Sequence, residues 1–379
     1  MELHRWALRT CWLLTLHACG DADTPATSAV TLPEPIGPPL IRVRQTWDAV
    51  EIEGRLGTNH LTLWQRDQLL LIAVRSPEPE AAGISAKLTG SLNGDMEVVV
   101  QNQLWAVAFQ IHQVDQARLA GQILFPSSDG PDLAPQSYDW RGPRAPPKPP
   151  AASPLNGRLE TVHLDSPHLP EGRDVTVYHP PGSAAPEFVL YCTDGERLPS
   201  YSGFLDHAVT AGQVPRVLVV GAHSARGLEA GEDPRSSEYL AHRGAPRFLA
   251  HAQFFCDELV PHAEATWQAP TDPAHRAVYG VSAGAEFAIA INRRYSDRFP
   301  RLILFSLSGQ DPPQQIFPCQ RAYFAAGHLE PGYRRHTQKW QAHARRSETV
   351  TEFRESISGH DSGMWQEELP AALAWIFQD

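Results

Sequence analysis

The chain has 379 residues, which is long enough for two domains with connecting segments. Its hydrophobic content of 42% is typical of a folded globular protein. The formal net charge of -11, with no cluster of Lys and Arg, argues against nucleic acid as a partner, because phosphate binding needs concentrated positive charge.

Residues 1–19 have the pattern of an export signal. Arg5 and Arg9 supply positive charge before an apolar run that is far shorter than the roughly 20 residues needed to span a bilayer. The run ends in LHACG, which resembles the bacterial lipobox and predicts lipidation of Cys19, with a plain cleaved signal peptide as the alternative. Residues 20–40 fit a flexible tether. We therefore expect an exported protein, periplasmic or at the cell surface, that touches the membrane through this lipid anchor.

Residues 41–125 show the pattern of a small β-sandwich domain. Short apolar or alternating runs are separated by turn residues, and several such runs at this spacing are typical of a sandwich. The runs are His60–Trp64, Leu69–Val74, Met96–Val100, Leu104–Ile111 and Ala117–Phe125. Nothing in them indicates catalysis, so we expect a structural or substrate-covering module.

Residues 126–155 are rich in Pro, Ser, Asp and Gly, which predicts a linker without a packed element. The aromatic side chains of Tyr138 and Trp140 interrupt it, and we expect them to dock on one of the domains.

From residue 156 to 379, short β-rich runs alternate with stretches of helix length. This alternation predicts an α/β domain with a mostly parallel sheet covered on both faces. The predicted strands are Phe188–Cys192, Val217–Val220, Ala277–Tyr279, Leu302–Phe305, Ala322–Ala325 and Val350–Phe353. The predicted helices are Pro246–Trp267, Ala283–Tyr295, Tyr333–Arg346 and Met364–Phe377.

The cysteines do not form the pattern of a disulfide scaffold or of a metal site. Cys192, Cys256 and Cys319 lie in or beside apolar runs, and we expect them to be small buried side chains, although one pair could bridge in an oxidising compartment. We expect no metal and no cofactor.

The sequence GVSAG at residues 280–284 matches the G-x-S-x-G nucleophile elbow. A predicted strand enters it and a predicted helix leaves it. Glycines are needed because the serine lies on a sharp turn where side chains would collide. This context predicts Ser282 as a nucleophile.

A serine nucleophile needs a histidine base, and His360 is the best of the 17 histidines. It follows the last predicted strand and precedes the final helix. His328 is the alternative, but it comes before the next acidic candidate.

A carboxylate must orient the histidine. Glu330 follows the strand Ala322–Ala325, where such an acid belongs, and Asp311 after the preceding strand is the alternative. Asp361, next to the histidine, is better placed to cap the last helix.

An oxyanion hole needs two backbone N–H groups. We expect one from Ala283 and the other from the loop after an early strand, at Gly195 and Glu196, although an ordinary surface turn would look the same.

These pieces together resemble the esterase D family, which includes enterochelin esterases, feruloyl esterases and mycolyltransferases. The motifs are VTVYHP from residue 175, the Asp194-Gly195 loop, RSSEYL from residue 235, FFCDELVP from residue 254, the elbow, and Gly359-His360-Asp361 with Trp365. The resemblance implies an α/β-hydrolase fold, ester cleavage through an acyl-enzyme, and no metal. The residue after the elbow is Ala285, where many members of the family have a second glycine.

Three further residues have open roles. Arg235 and Glu238 could orient a polar substrate or form an ion pair that fixes a long loop, and Trp365 could line the pocket or anchor the last helix. The sequence therefore predicts a serine carboxylic-ester hydrolase acting on a small-molecule or carbohydrate-linked ester, with a siderophore-type ester suggested by the two-domain layout. The alternatives are a feruloyl or acetyl polysaccharide esterase, an acyltransferase, or a non-catalytic surface binding protein.

Overall fold

A computed structural model describes residues 38–225 and 233–378. The export signal, the lipidation at Cys19 and nearly all of the tether lie outside the described residues. Within the described part of the chain, no helix is both long enough and apolar enough to cross a membrane.

The N-terminal domain is built from two antiparallel sheets. In chain order its elements are β1 (Leu40–Val43), α1 (Ala49–Leu56), β2 (Leu61–Arg66), β3 (Leu69–Arg75), β4 (Lys87–Gly90), β5 (Gly94–Asp95), β6 (Glu97–Val100), β7 (Leu104–Ile111), β8 (Arg118–Phe125) and β9 (Leu133–Arg141). One sheet has the order β1-β7-β3-β2, with β6 also paired to β7, and the other has the order β5-β4-β8-β9.

Both sheets contribute to one apolar core. Ile72 and Trp105 come from the first sheet, Leu88 and Ile123 come from the second, and all four are fully buried in the same cluster. Two antiparallel sheets with a shared core form a β-sandwich, as predicted. The short helix α1 was not predicted; it has eight residues, of which only Ile52 and Leu56 are buried.

The prediction of a linker without a packed element over residues 126–155 is wrong at β9. This strand pairs along most of its length with β8. Tyr138 is buried, and its hydroxyl donates to the carbonyl of Thr89 at 3.0 Å. Trp140 packs against the same core. The two aromatic side chains therefore dock as predicted, and their docking makes this stretch a strand.

The C-terminal domain has one large mixed sheet. Its strands are β10 (Arg158–Leu164), β11 (Arg173–His179), β12 (Phe188–Cys192), β13 (Val217–Ala222), β14 (Arg276–Val281), β15 (Arg301–Phe305), β16 (Arg321–Gly327) and β17 (Val350–Ser356). Their order is β10-β11-β13-β12-β14-β15-β16-β17. The first two pairings are antiparallel, and all pairings from β13 to β17 are parallel. The predicted α/β-hydrolase architecture is confirmed.

Helices cover both faces of this sheet. They are α2 (Leu198–Thr210), α3 (Pro234–Tyr239), α4 (Ala245–Gln253), α5 (Val260–Trp267), α6 (Ala283–Arg294), α7 (Pro331–Arg346) and α8 (Ser362–Ile376), with a π-helical turn at Phe254–Leu259 that joins α4 to α5.

Alternate residues of the central strands enter two separate apolar cores. In β15, Leu302 and Leu304 belong to the core on one face, and Ile303 and Phe305 belong to the core on the other. Successive side chains of a strand point to opposite faces, so a strand covered on both sides reads as an unbroken apolar run. The predicted buried cysteines Cys192, Cys256 and Cys319 are free thiols in this domain.

The two domains meet at α8. Glu367 accepts hydrogen bonds from Arg118, at 2.9 Å, and from Arg141, and its side chain is only 5% exposed. Leu329 and Ile357 of the C-terminal domain are buried in the core of the N-terminal sandwich. The interface therefore combines apolar packing with a partly buried ion cluster.

Replacing Glu367 with Ala should destabilise the protein, because two arginines would lose their shared carboxylate. We expect a loss of about 2–3 kcal/mol, slightly below the usual cost of breaking a buried ion pair because both arginines keep some contact with water. Urea denaturation followed by fluorescence would measure the loss. The control is Glu51→Ala, which removes an exposed pair with Arg55 and should cost about 0.5 kcal/mol or less. Equal effects of the two substitutions would contradict this role of Glu367.

Candidate active site

Ser282 lies between β14 and α6 with a strained backbone. Its φ is 56° and its ψ is -124°, a combination that is rare for residues other than glycine. A side chain at Gly280 would collide with the backbone of Gly284, and one at Gly284 would collide with the side chain of Thr193. The two glycines therefore allow the sharp turn from strand to helix, as the motif predicts.

This turn presents the serine at the carboxyl edge of the sheet. The backbone N–H of Ser282 donates to the carbonyl of Phe305 at the end of β15, at 3.0 Å, and the side chain is partly exposed. Ala283 begins α6, so its N–H is among those that have no partner within the helix. The serine side chain is therefore accessible from solvent and lies next to the N-terminus of α6.

Glu330 and His360 lie at the same edge and contact each other directly. Glu330 follows β16 and His360 follows β17, the two strands beyond β15. The Nδ1 of His360 lies 2.6 Å from Oε2 of Glu330. A carboxylate only accepts hydrogen bonds, so this contact puts a proton on Nδ1 and leaves Nε2 as the basic nitrogen.

The carboxylate of Glu330 is buried and held by three donors. Its other oxygen accepts from the hydroxyl of Ser306 at 2.6 Å and from the backbone N–H of Gly327 at 2.7 Å. Burial raises the pKa of Glu330 above its ordinary value, and the hydrogen bonds, first that of His360, act against the rise. Three donors are the arrangement that a buried carboxylate needs to stay in place.

The ring of His360 is held between two aromatic side chains. Tyr333 stacks on it with the ring centroids 3.9 Å apart, and Trp365 meets it edge-on at 4.9 Å. The indole N–H of Trp365 donates to the hydroxyl of Ser306 at 2.9 Å. Trp365 therefore contacts the histidine ring and anchors α8 against Ser306.

The alternative candidates lie elsewhere. Asp311 is exposed and paired with Lys339 at 2.7 Å, and the imidazole of His328 is buried 3.6 Å from Glu355. Asp361 accepts the N–H of Met364 at 2.9 Å and caps α8, as predicted.

The loop after β12 contains Gly195 and Glu196, where the second oxyanion donor is predicted. Asp194 is left-handed, with φ of 54°, and a tight turn covers Gly195–Arg197. A side chain at Gly195 would collide with the backbone of Gly221. The carboxylate of Glu196 accepts from the hydroxyl of Ser224 at 2.7 Å. We call residues 193–197 the Asp194 loop.

Arg235 holds the Asp194 loop. Its guanidinium donates to both carboxylate oxygens of Asp194, at 2.5 and 2.8 Å, and to the carbonyl of Val281 at 3.3 Å. Asp194 is also fixed through its own N–H, which donates to the hydroxyl of Tyr239 at 2.9 Å. Arg235 thus links this loop to the residue before the nucleophile.

Of its two open roles, Glu238 has that of an ion pair, although its partner is Arg173 and not Arg235. Its side chain is fully buried and pairs with Arg173 at 2.6 Å, and it also accepts the N–H of Ala225. A buried carboxylate with these partners cannot touch a substrate, and it does not pair with Arg235. Glu238 thereby fixes the backbone of Ala225.

Two residues that touch the site were not predicted. Ser306 directly follows a predicted strand, and its position at the carboxyl edge could have identified it. Tyr333 is three residues after Glu330 at the start of a helix, and a single sequence carries no signal that it stacks on a histidine 27 positions later.

Comparison with known families identifies the C-terminal domain. Residues 166–348 match the family model described as "Putative esterase". This segment resembles an esterase domain. The predicted resemblance is confirmed, and family and fold together support hydrolase activity of the esterase type. A comparison with curated proteins finds no match.

Solved structures share the fold of both domains. Enterochelin esterase from Shigella flexneri has a TM-score of 0.64 at 16% identity, covering 86% of this chain and 97% of that chain. Ferric enterobactin esterase from Salmonella typhimurium has a TM-score of 0.63 at 18% identity, covering 86% and 98%. The covered share is larger than the C-terminal domain alone, so the similarity extends to the sandwich.

Replacing Arg235 with Ala should slow ester hydrolysis about tenfold or more, because the Asp194 loop would lose its link to the elbow and small displacements are costly in an active site. Steady-state kinetics on a p-nitrophenyl ester would measure the effect. Arg243→Ala, an exposed arginine of the same stretch, is the matched control. A rate for Arg235→Ala equal to the control would show that the loop does not need this contact.

Proposed function

We propose that this protein hydrolyses carboxylic esters through an acyl-enzyme on Ser282. The observation that carries the proposal is the partly buried Glu330–His360 hydrogen bond at 2.6 Å, at the same sheet edge as a serine with strained backbone. Nucleophile, base and orienting acid are the three parts that activate a serine.

In the proposed reaction, Nε2 of His360 takes the proton of the Ser282 hydroxyl as the oxygen attacks the ester carbonyl. The resulting imidazolium is stabilised by Glu330 and by the face of Tyr333. The same histidine then gives the proton to the leaving alcohol. A water molecule, activated in the same way, releases the acid from the serine.

The oxyanion of the tetrahedral intermediate needs donors that are already in place. We assign this role to the backbone N–H of Ala283 and to the N–H groups of Gly195 and Glu196. The support is that Ala283 begins α6, and that the Asp194 loop is tied to the elbow through Arg235.

Ser282→Ala should lower ester hydrolysis by at least about a thousandfold and abolish labelling by a fluorophosphonate probe, because the nucleophilic oxygen is gone. Hydrolysis of p-nitrophenyl esters and gel-based labelling would measure the two effects. Ser308→Ala, at the same sheet edge, is the control and should retain both ester hydrolysis and probe labelling. Persistent labelling of Ser282→Ala would contradict the assignment. An inactive, unlabelled wild type would favour a non-catalytic binding protein.

Within this proposal we assign a siderophore-type ester as the substrate. The support is the two-domain fold, which this chain shares with enterochelin esterase over 97% of that structure. Feruloyl and acetyl polysaccharide esters, and transfer to an alcohol other than water, are the alternatives.

A substrate panel would separate these possibilities. Purified protein is incubated with a ferric triscatecholate siderophore ester, a feruloyl ester, an acetylated xylan and a p-nitrophenyl ester, and products are measured by chromatography. We expect kcat/KM for the siderophore ester to exceed that for the others by about a hundredfold or more, since binding contacts beyond the reacting bond raise this ratio. If kcat/KM were higher for the feruloyl or acetyl ester, the siderophore assignment would be wrong and that ester would be the substrate class. Adding an alcohol acceptor would reveal transfer.

A further inference from the structure

A turn of the N-terminal sandwich lies against the loop that carries His360. At this turn, the hydroxyl of Ser91 accepts the N–H of Ala120 at 3.0 Å and donates to Oδ2 of Asp361. Ser91 is 2% exposed and Asp361 is 4% exposed. The contact joins residues that are 270 positions apart and belong to different domains.

Asp361 connects the turn to the rest of the histidine loop. The same oxygen that accepts from Ser91 also accepts from the hydroxyl of Ser358 at 2.7 Å, and the other oxygen accepts the N–H of Met364 at 2.9 Å. One carboxylate thus ties together the sandwich, the loop before His360 and the first turn of α8.

The backbone of the loop is enclosed on both sides. On the sandwich side, a side chain at Gly359 would collide with the backbone of Ser91, and the N–H of Arg118 donates to the carbonyl of Ile357 at 2.8 Å. On the other side, the carbonyl of Ser358 accepts the N–H of Leu329 at 2.9 Å. The loop has little room to move away from Glu330, the neighbour of Leu329.

We propose that Ser91 is a positioning residue for His360, so that the N-terminal domain is part of the catalytic unit. Ser91 does not touch substrate or the reacting atoms. It acts through Asp361, which directly follows His360 and holds the loop that carries this base. The inference rests on the proposed function, since it requires His360 to be the base.

Loss of the Ser91 hydroxyl leaves a buried carboxylate with one donor fewer, and such a group relaxes toward water or a new partner. The loop then moves relative to Glu330. Misplacement of a catalytic group by a fraction of an ångström lowers the rate without changing substrate binding. The expected signature is a fall in kcat at constant KM.

The first measurement compares Ser91→Ala with Ser85→Ala, an exposed serine of the same domain, in the full chain. We expect kcat on a p-nitrophenyl ester to fall about tenfold for Ser91→Ala, with KM within about twofold. Ser85→Ala should match the wild type. Circular dichroism at the assay temperature must show all variants folded. A kcat for Ser91→Ala within twofold of the control overturns the proposal.

A second measurement separates positioning from general destabilisation. Ser91→Ala is combined with Glu330→Gln, which removes the carboxylate that the positioned histidine meets. If Ser91 acts by holding His360 against Glu330, its substitution should cost about tenfold in the wild type and less than about twofold in the Glu330→Gln background. The same factor in both backgrounds would overturn the proposal.

Asp361→Asn tests the same contact from the other domain and serves if Ser91→Ala fails to fold. Asn keeps the size and can still cap α8, so we expect a similar fall in kcat that also disappears with Glu330→Gln. An unchanged kcat overturns the proposal. The Ser282→Ala result separates the two hypotheses: if that variant stays active, the proposed function fails, whereas inactive Ser282→Ala with unaffected Ser91→Ala refutes only the positioning role.

Discussion

The rest of the site depends on the partly buried hydrogen bond between Glu330 and His360. It can form only because β16 and β17 are neighbours in parallel register, with Gly327 opposite Ser356, so that the residues after both strands emerge side by side. Ser306, directly after β15, donates to Glu330, and the indole N–H of Trp365 donates to Ser306. Each of these groups would have a poor partner if the sheet slipped by one residue.

The strain at Ser282 is balanced by close packing around it. The elbow turns sharply because Gly280 and Gly284 leave no side chain between strand and helix, and the Asp194 loop fills the space on the other side. Arg235 then ties that loop to the carbonyl before the serine. A strained backbone persists only where its surroundings hold it, and here the surroundings include the Asp194 loop, which also carries the proposed oxyanion donors Gly195 and Glu196.

Patterns within short stretches predicted most of the fold and placed the candidate site residues at the ends of neighbouring strands. The central strands are unbroken apolar runs, and the elbow has its own spacing, so Ser282, Glu330 and His360 followed from their order along predicted strands. Contacts between distant segments could not be predicted in this way. The pairing of Glu238 with Arg173 and the stacking of Tyr333 depend on how loops meet in space. Strand β9 was missed because Pro and Ser obscure its alternation, and its stability comes from docking of Tyr138.

The link between Ser91 and Asp361 also has a consequence for the order in which the molecule matures. During synthesis the sandwich emerges early and can form most of its own core, since domains generally fold as units. Its contact with Asp361 spans 270 positions and must wait for β17 and the start of α8. Long-range contacts of this kind close late. A nascent chain would therefore hold a formed sandwich but no fixed His360 loop until the last strand has joined the sheet.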